Sequence, residues 1–281
     1  MTEILIKPIT PSIGAHVYVA AEDITKDGVP DQIFEALNTY NVLVFPEINL
    51  GDDQFIALTG ELGDMQAATV TADGSEPSSK GVYRIALDKN DKTQLDYVKG
   101  NNFWHMDGTS YNIPGKGTLL KCENPPSEGG ETDFANLFAA YEALPQERKQ
   151  QLEGMRVQHC LAAVGKRFYE QPTEDDFARW NAIFPLTEHP LVWHQQNGRT
   201  SLLIGSTAES IVGLPGEEGA QLLEDLLEWC TQDQFTYRHS WKKGDLVIFN
   251  NPGLLHRSRP YTESAGRVMH RTTLKGYEAI A

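Results

Sequence analysis

His105-Met106-Asp107 sets an imidazole and a carboxylate two positions apart. On a strand both side chains would leave the same face, because strand side chains alternate with period two. A second, distant histidine, His256, would complete two histidines and one carboxylate on one side of a metal. That facial set leaves coordination positions open opposite the protein, the arrangement of non-haem Fe(II) oxygenases. The triplet alone says little. Eight histidines among 39 acidic residues in 281 give about one His-x-acid triplet by chance, and the chain has one. Its surroundings say more. Phe103-Trp104 precede His105, and an apolar wall beside a ligand histidine controls solvent access to a metal; the same pair would serve as plain core. His256 follows an apolar run, Asp245 to Phe249, and a turn signal, Asn250-Asn251-Pro252-Gly253. That placement can aim an imidazole inward from a rigid scaffold, and it equally suits a satisfied core histidine.

Arg257, Arg259, Arg267, His270 and Arg271 crowd the segment after His256 in a chain of net charge −15. If Arg267 to Arg271 is a strand, Arg267, Met269 and Arg271 share a face. Two guanidinium forks on one face suit one or two anionic ligands; salt bridges to the many acidic residues explain them as well.

The elements that would position these residues are short. Strand-like runs are Asn41–Phe45, Thr118–Cys122, Ser201–Gly205 and Asp245–Phe249. Helical spacing covers Asp31–Thr39, Asp52–Leu62, Leu137–Leu144 and Glu218–Cys230. Strands and helices do not alternate regularly, and no Gly-rich phosphate loop follows a strand, which disfavours a doubly wound nucleotide fold. A sandwich or jelly roll decorated by helices is expected. Thr69 to Gly81 is polar and rich in Gly, Ser and Pro, hence a loop that is either a solvated excursion or an active-site lid.

Composition sets the outer bounds. Hydrophobic residues make up 40% and charged residues 22%, ordinary for a globular chain. The acidic surface repels phosphate backbones and anionic membranes, so neither nucleic acid nor membrane is an expected partner. No apolar run approaches the roughly 18 residues of a membrane span. Cys122, Cys160 and Cys230 fit no zinc spacing and read as small buried hydrophobes in a reducing cytoplasm.

These features together resemble the taurine dioxygenase / 2,4-dichlorophenoxyacetate dioxygenase family of Fe(II)- and 2-oxoglutarate-dependent enzymes. The likeness runs from Asn41-Val42-Leu43-Val44-Phe45-Pro46 through Phe55–Gly63, Trp104–Asp107 and Pro125–Phe134 to Gly244–Arg271. Two spacings are specific. Thr132, after a Gly-Gly pair, stands 27 positions beyond His105, and Arg267 stands 11 beyond His256, as in the family. Arg271 matches a second arginine four residues on. The resemblance implies a single domain over 1–281, with a candidate lid over 66–82. Its fold would be mainly β with helical insertions: a double-stranded β-helix, or distorted, cupin-like jelly roll. It implies His105, Asp107 and His256 as Fe(II) ligands, Thr132 and Arg267 on the distal carboxylate of 2-oxoglutarate, and Arg271 on the substrate's anionic group. Asn102, Phe103 and Tyr83 are expected at the substrate pocket. The reaction implied is oxidation of a substrate C–H bond with O2, releasing succinate and CO2. Candidate substrates are an aryloxyalkanoate, a sulfonate, an alkyl sulfate or a natural-product carboxylate. A homo-oligomer, dimer or tetramer, is expected. Zinc-dependent hydrolysis on the same triad, or 2-oxoglutarate binding without catalysis, are the rival readings. Two departures from the family pattern stand out. Asn250-Asn251-Pro252 replaces the usual Asp-Asn-Arg, and Met65-Gln66-Ala67-Ala68-Thr69 stands where taurine-type members carry a sulfonate-binding histidine.

Overall fold

The computed structural model describes residues 2–66, 81–87 and 92–281. Most of the candidate lid, 67–80, thus lies outside the described residues.

In chain order, β1 (Leu5–Pro8) and β2 (Ala15–Tyr18) precede α1 (Val29–Tyr40), β3 (Val42–Phe45) and α2 (Asp52–Leu62). Then come β4 (Tyr83–Ala86), α3 (Lys92–Gly100), β5 (Gly117–Asn124) and β6 (Thr132–Asn136). The middle is mixed: α4 (Leu137–Glu142), α5 (Gln146–Leu152), β7 (Arg156–His159), α6 (Leu161–Gly165), α7 (Glu174–Ile183), β8 (Thr187–Pro190), β9 (Val192–His194), β10 (Thr200–Leu202) and β11 (Ala208–Ile211). The last part holds α8 (Gly216–Cys230), β12 (Thr236–His239), β13 (Leu246–Asn250), β14 (Leu254–Ser258) and β15 (Val268–Leu274).

The main sheet has seven strands in the order β1-β2-β3-β13-β5-β15-β4, and a three-stranded sheet runs β12-β6-β14. β13 lies inside the main sheet, antiparallel to both β3 and β5. Its uninterrupted apolar sequence follows from burial on both faces. Leu246 and Ile248 pack with Ile33, Leu37, Phe55 and Leu58 of α1 and α2. Val247 and Phe249 face the other way, onto Phe134 and Leu254 of the smaller sheet. Two sheets thus enclose one core while helices cover the outer face. A separate cluster joins α4, α8 and the β9–β10 hairpin around Trp193 and Leu226.

The expected helices appear with small shifts at their ends. Several expectations need correction. Ser201–Gly205 is strand only as far as Leu202. His105–Asp107 is not a strand: His105 makes an isolated antiparallel bridge to His256, and Gly108 turns the chain with φ +84°. Arg267 precedes β15, and a register shift between Val268 and Met269 separates it from the regular ladder with β5. The sequence reading passed over α3, α5, α6 and α7, short helices with little apolar periodicity. One had a legible start: Thr173 caps α7 in a reciprocal box with Asp176.

Candidate active site

His256 comes from β14, whose register pairs it with Phe134 of β6. His105 comes from the segment after α3 and is fixed against β14 by reciprocal backbone bonds. His105 N–H donates to the His256 carbonyl at 3.0 Å, and His256 N–H to the His105 carbonyl at 2.9 Å. Close approach on the other side requires Gly205: a Cβ there would stand 2.8 Å from the Trp104 oxygen and 3.2 Å from His105 Cα. The two imidazoles meet with centroids 4.1 Å apart. Their Nε2 atoms stand 3.7 Å (His105) and 3.8 Å (His256) from Asp107 Oδ1. One ligand atom from each of the three residues lies within 4.8 Å of the others.

The donor chemistry suits a divalent metal. His105 Nδ1 lies 2.7 Å from the Phe103 carbonyl. A carbonyl only accepts, so Nδ1 donates to it, and Nε2 is the ring atom left facing Asp107 for a metal. His256 is held neutral: burial, then His105, pushes its pKa down to about 3. Burial pushes the Asp107 carboxyl up, but His256, Arg271, His105 and the Thr118 hydroxyl together outweigh it, and its net shift is downward. The neutral His256 imidazole, the Asp107 carboxylate and the Nε2 face of His105 therefore converge.

A second His/acid group, Asp52, Glu123 and His270, also brings ligand atoms together. Its centre already holds a cation, since Lys121 Nζ lies 2.7 Å from Asp52 and 2.5 Å from Glu123. That part of the basic cluster is salt bridging, as it is for Arg257 and Arg259, which both reach Asp133.

Three cavities meet at the triad. The narrowest, about 50 Å³, is lined by His105, Asp107, His256, Thr132, Arg267 and Arg271 among others. Arg267 is 5% exposed and has no carboxylate partner among the described residues; its Nε donates to the Gly130 carbonyl at 3.2 Å. Burial lowers its pKa. The Gly-Gly pair makes this fit, because a Cβ on Gly130 would stand 3.0 Å from Arg267 Cδ. Thr132 is buried, and its hydroxyl accepts from Trp241 Nε1 at 2.9 Å.

The second cavity, about 160 Å³, is polar and holds Arg271, Tyr83, Tyr97, Tyr111, Gln66 and Asn251. Arg271 Nη1 donates to the Tyr97 hydroxyl at 2.9 Å and stands 3.7 Å from Asp107 Oδ2. Burial opposes its charge, but Tyr97, Asp107 and Tyr83 outweigh that, so its pKa is raised. The third cavity, about 470 Å³, has a wall of Leu161, Val164, Phe168, Trp180, Ile183 and Phe184, and touches the triad at His105 and Asp107.

The structure thus gathers His105, Asp107, His256, Thr132, Arg267, Arg271 and Tyr83 about one centre. It turns two expected residues away. Phe103 stacks on Phe168 and lines a separate outer cleft with Trp104 and Arg257. Asn102 lines none of the three cavities, and Asn101 takes the place expected for it. The reason is local: the turn leaving α3 ends at the His105 bridge, so strand alternation does not extend back to these positions. Tyr97, Trp241 and the apolar wall are not expected from the sequence: only long-range packing assembles them, and none carries a local motif. Asn251 stands in the Asn250-Asn251-Pro252 stretch already set against the family's Asp-Asn-Arg.

A family model for "Taurine catabolism dioxygenase TauD, TfdA family" matches residues 5–273. The chain belongs to this family. It is a dioxygenase that uses Fe(II) and 2-oxoglutarate. This family member is similar to the alpha-ketoglutarate-dependent 2,4-dichlorophenoxyacetate dioxygenase of Cupriavidus pinatubonensis, 33% identical over 86% of this chain and 87% of the relative. It is also similar to the (S)-phenoxypropionate/alpha-ketoglutarate-dioxygenase of Sphingobium herbicidovorans, 32% identical over 96% and 94%. Among solved structures it resembles AAD-2 in complex with Mn(II) and N-oxalylglycine, with TM-score 0.82 and 28% identity over 99% of this chain and 100% of that one.

Proposed function

We propose that the enzyme oxidises a C–H bond of an anionic organic substrate bearing a bulky apolar body. His105, Asp107 and His256 would hold Fe(II), and Thr132 and Arg267 the distal carboxylate of 2-oxoglutarate. The observation that carries this reading is Arg267. A buried guanidinium with no carboxylate partner among the described residues, in a slot that opens on a two-histidine, one-carboxylate set, calls for an anion to offset its desolvation. A hydrolytic metal site would give that arginine no task. The chemistry supplied by bound Fe(II) is O2-dependent decarboxylation of 2-oxoglutarate to succinate and CO2, coupled to C–H oxidation.

The residues divide the remaining work. Arg271, oriented by Tyr97, offers its fork to the substrate's anionic group from the polar cavity. The apolar cavity excludes water beside His105 and receives the substrate's body. Its volume, about 470 Å³, is roughly three times the ~150 Å³ that encloses a benzene ring. A substituted aryloxyalkanoate or a polycyclic carboxylate fills such a space; a two-carbon sulfonate does not. We read the two facing sheets as a double-stranded β-helix, and expect a cytoplasmic homo-oligomer.

Anaerobic enzyme with Fe(II) and 2-oxoglutarate should develop a weak charge-transfer band in the visible; folded, metal-loaded protein without the band would sink the metal and co-substrate assignment. Succinate release should then be screened against aryloxyalkanoates, alkyl sulfates, sulfonates and polycyclic acids. Strongest turnover with taurine-sized sulfonates would refute the apolar-body reading.

A further inference from the structure

Among the described residues, Asp107 sits on a segment with no strand paired to it. The chain leaves the His105 bridge, passes Met106 and turns at Gly108. The peptide groups of Asp107 therefore lack the ladder partners that a sheet would give them, and buried peptide groups need partners. A single side chain supplies both. Asn251 Oδ1 accepts from the Asp107 N–H at 3.1 Å, and Asn251 Nδ2 donates to the Asp107 carbonyl at 2.7 Å. The second hydrogen of Nδ2 goes to the Gly115 carbonyl at 3.2 Å. Asn251 is fully buried, and its oxygen and both of its amide hydrogens are engaged. A carboxamide presents an acceptor and a donor side by side, and so imitates the edge of a strand.

Asn251 begins the turn Asn251–Gly253 that carries the chain from β13 into β14, and so to His256. The turn that delivers one histidine thus grips the peptide of the carboxylate. On the other side, the reciprocal backbone bonds between His105 and His256 tie the second histidine to the same strand.

We propose that Asn251 is a positioning residue for the metal site: its carboxamide clamps the Asp107 backbone and sets the carboxylate in register with His256. This rests on the metal reading given above. Groups that orient metal ligands commonly change metal affinity by roughly 10–100-fold when removed.

Asn250 provides a matched control. It is as buried as its neighbour, and its side chain bonds Lys116 and Asn41 rather than any triad residue. The experiment is titration of full-length protein with Mn(II), followed by the electron paramagnetic resonance of the free ion, well below each variant's unfolding temperature. Asn251→Ala should weaken Mn(II) binding by roughly 10–100-fold, whereas Asn250→Ala, destabilised to a similar degree, should keep the wild-type dissociation constant. If Asn251→Ala does not fold, Asn251→Asp serves. It keeps the acceptor for the Asp107 N–H, loses the donors, and should show an intermediate loss. A folded Asn251 variant with wild-type affinity, or an equal loss in Asn250→Ala, would overturn the clamp. Failure of the wild type itself to bind Mn(II) would instead strike the metal reading.

Discussion

Arg267 and Arg271 stand four residues apart and reach the same triad, yet their surroundings differ. Arg267 lies in a slot of about 50 Å³ between the two sheets, beside Thr132, Leu120 and Phe249. Arg271 opens on a polar cavity of about 160 Å³ formed by tyrosines and by residues outside the sheet core, such as Gln66 and Tyr111. The largest of the three cavities at the triad is walled by α6, α7 and the segments around them. On the function proposed above, 2-oxoglutarate would meet rigid sheet, while the substrate would meet short helices and turns. Sheet residues locked by packing on both faces resist change, whereas surface helices and loops can vary without loss of the core.

The sharpest break in this comparison is Arg267→Ala. Truncating one member of a buried charge pair costs about 2–5 kcal/mol, so the Kd for 2-oxoglutarate should rise on the order of 100-fold or more. Substrate affinity, measured with saturating co-substrate, should barely move; equal loss of both would erase the division of labour. Arg271→Ala should do the reverse. The substrate KM should rise by roughly 10- to 100-fold, as expected for losing a charge-assisted pair of about 1.5–3 kcal/mol, with little change in 2-oxoglutarate binding. An unchanged substrate KM would remove Arg271 from the pocket.

A smaller effect is expected from Val164→Phe, which adds volume to the apolar cavity. Turnover of bulky substrates should fall about tenfold or more while small acids are spared, since even one methylene in an apolar pocket is worth about 1–3 kcal/mol of discrimination. Loss of activity on all substrates alike would show that the cavity is not selective.

A last effect concerns acid. His159 backs the apolar cavity: its Nδ1 meets the Thr207 hydroxyl at 2.9 Å, and Thr207 reaches Thr109 at 3.1 Å. Burial, then His189, pushes the His159 pKa down to about 3. The unfolded chain takes up this proton first, so the stabilising contribution is complete above about pH 6.5 and is lost as pH falls toward 3. Between pH 6.5 and 5 the wild type should lose up to about 1.4 kcal/mol per pH unit more than His159→Gln, read by denaturant unfolding. Parallel curves would show that His159 is already protonated or exposed.

Parts of this design are legible in the chain itself. His105, Asp107 and His256 stand out as candidate ligands by residue type, the family resemblance adds Thr132 and Arg267 at its own fixed separations, and Val42–Phe45 and Leu246–Phe249 declare a doubly buried sheet by their unbroken apolar runs. Those properties are local, because burial of a strand on both faces and the alternation of its side chains are written in a few consecutive residues. The tertiary structure decided the rest. The triplet is not a strand, and Asn251 rather than a ladder holds Asp107. Tyr97 and Trp241 reach Arg271 and Thr132 from distant elements, while Phe103 turns outward and Trp180 turns into the cavity. A pocket wall is a meeting of segments far apart in sequence, and such meetings are set by packing that a single chain's spacing does not encode.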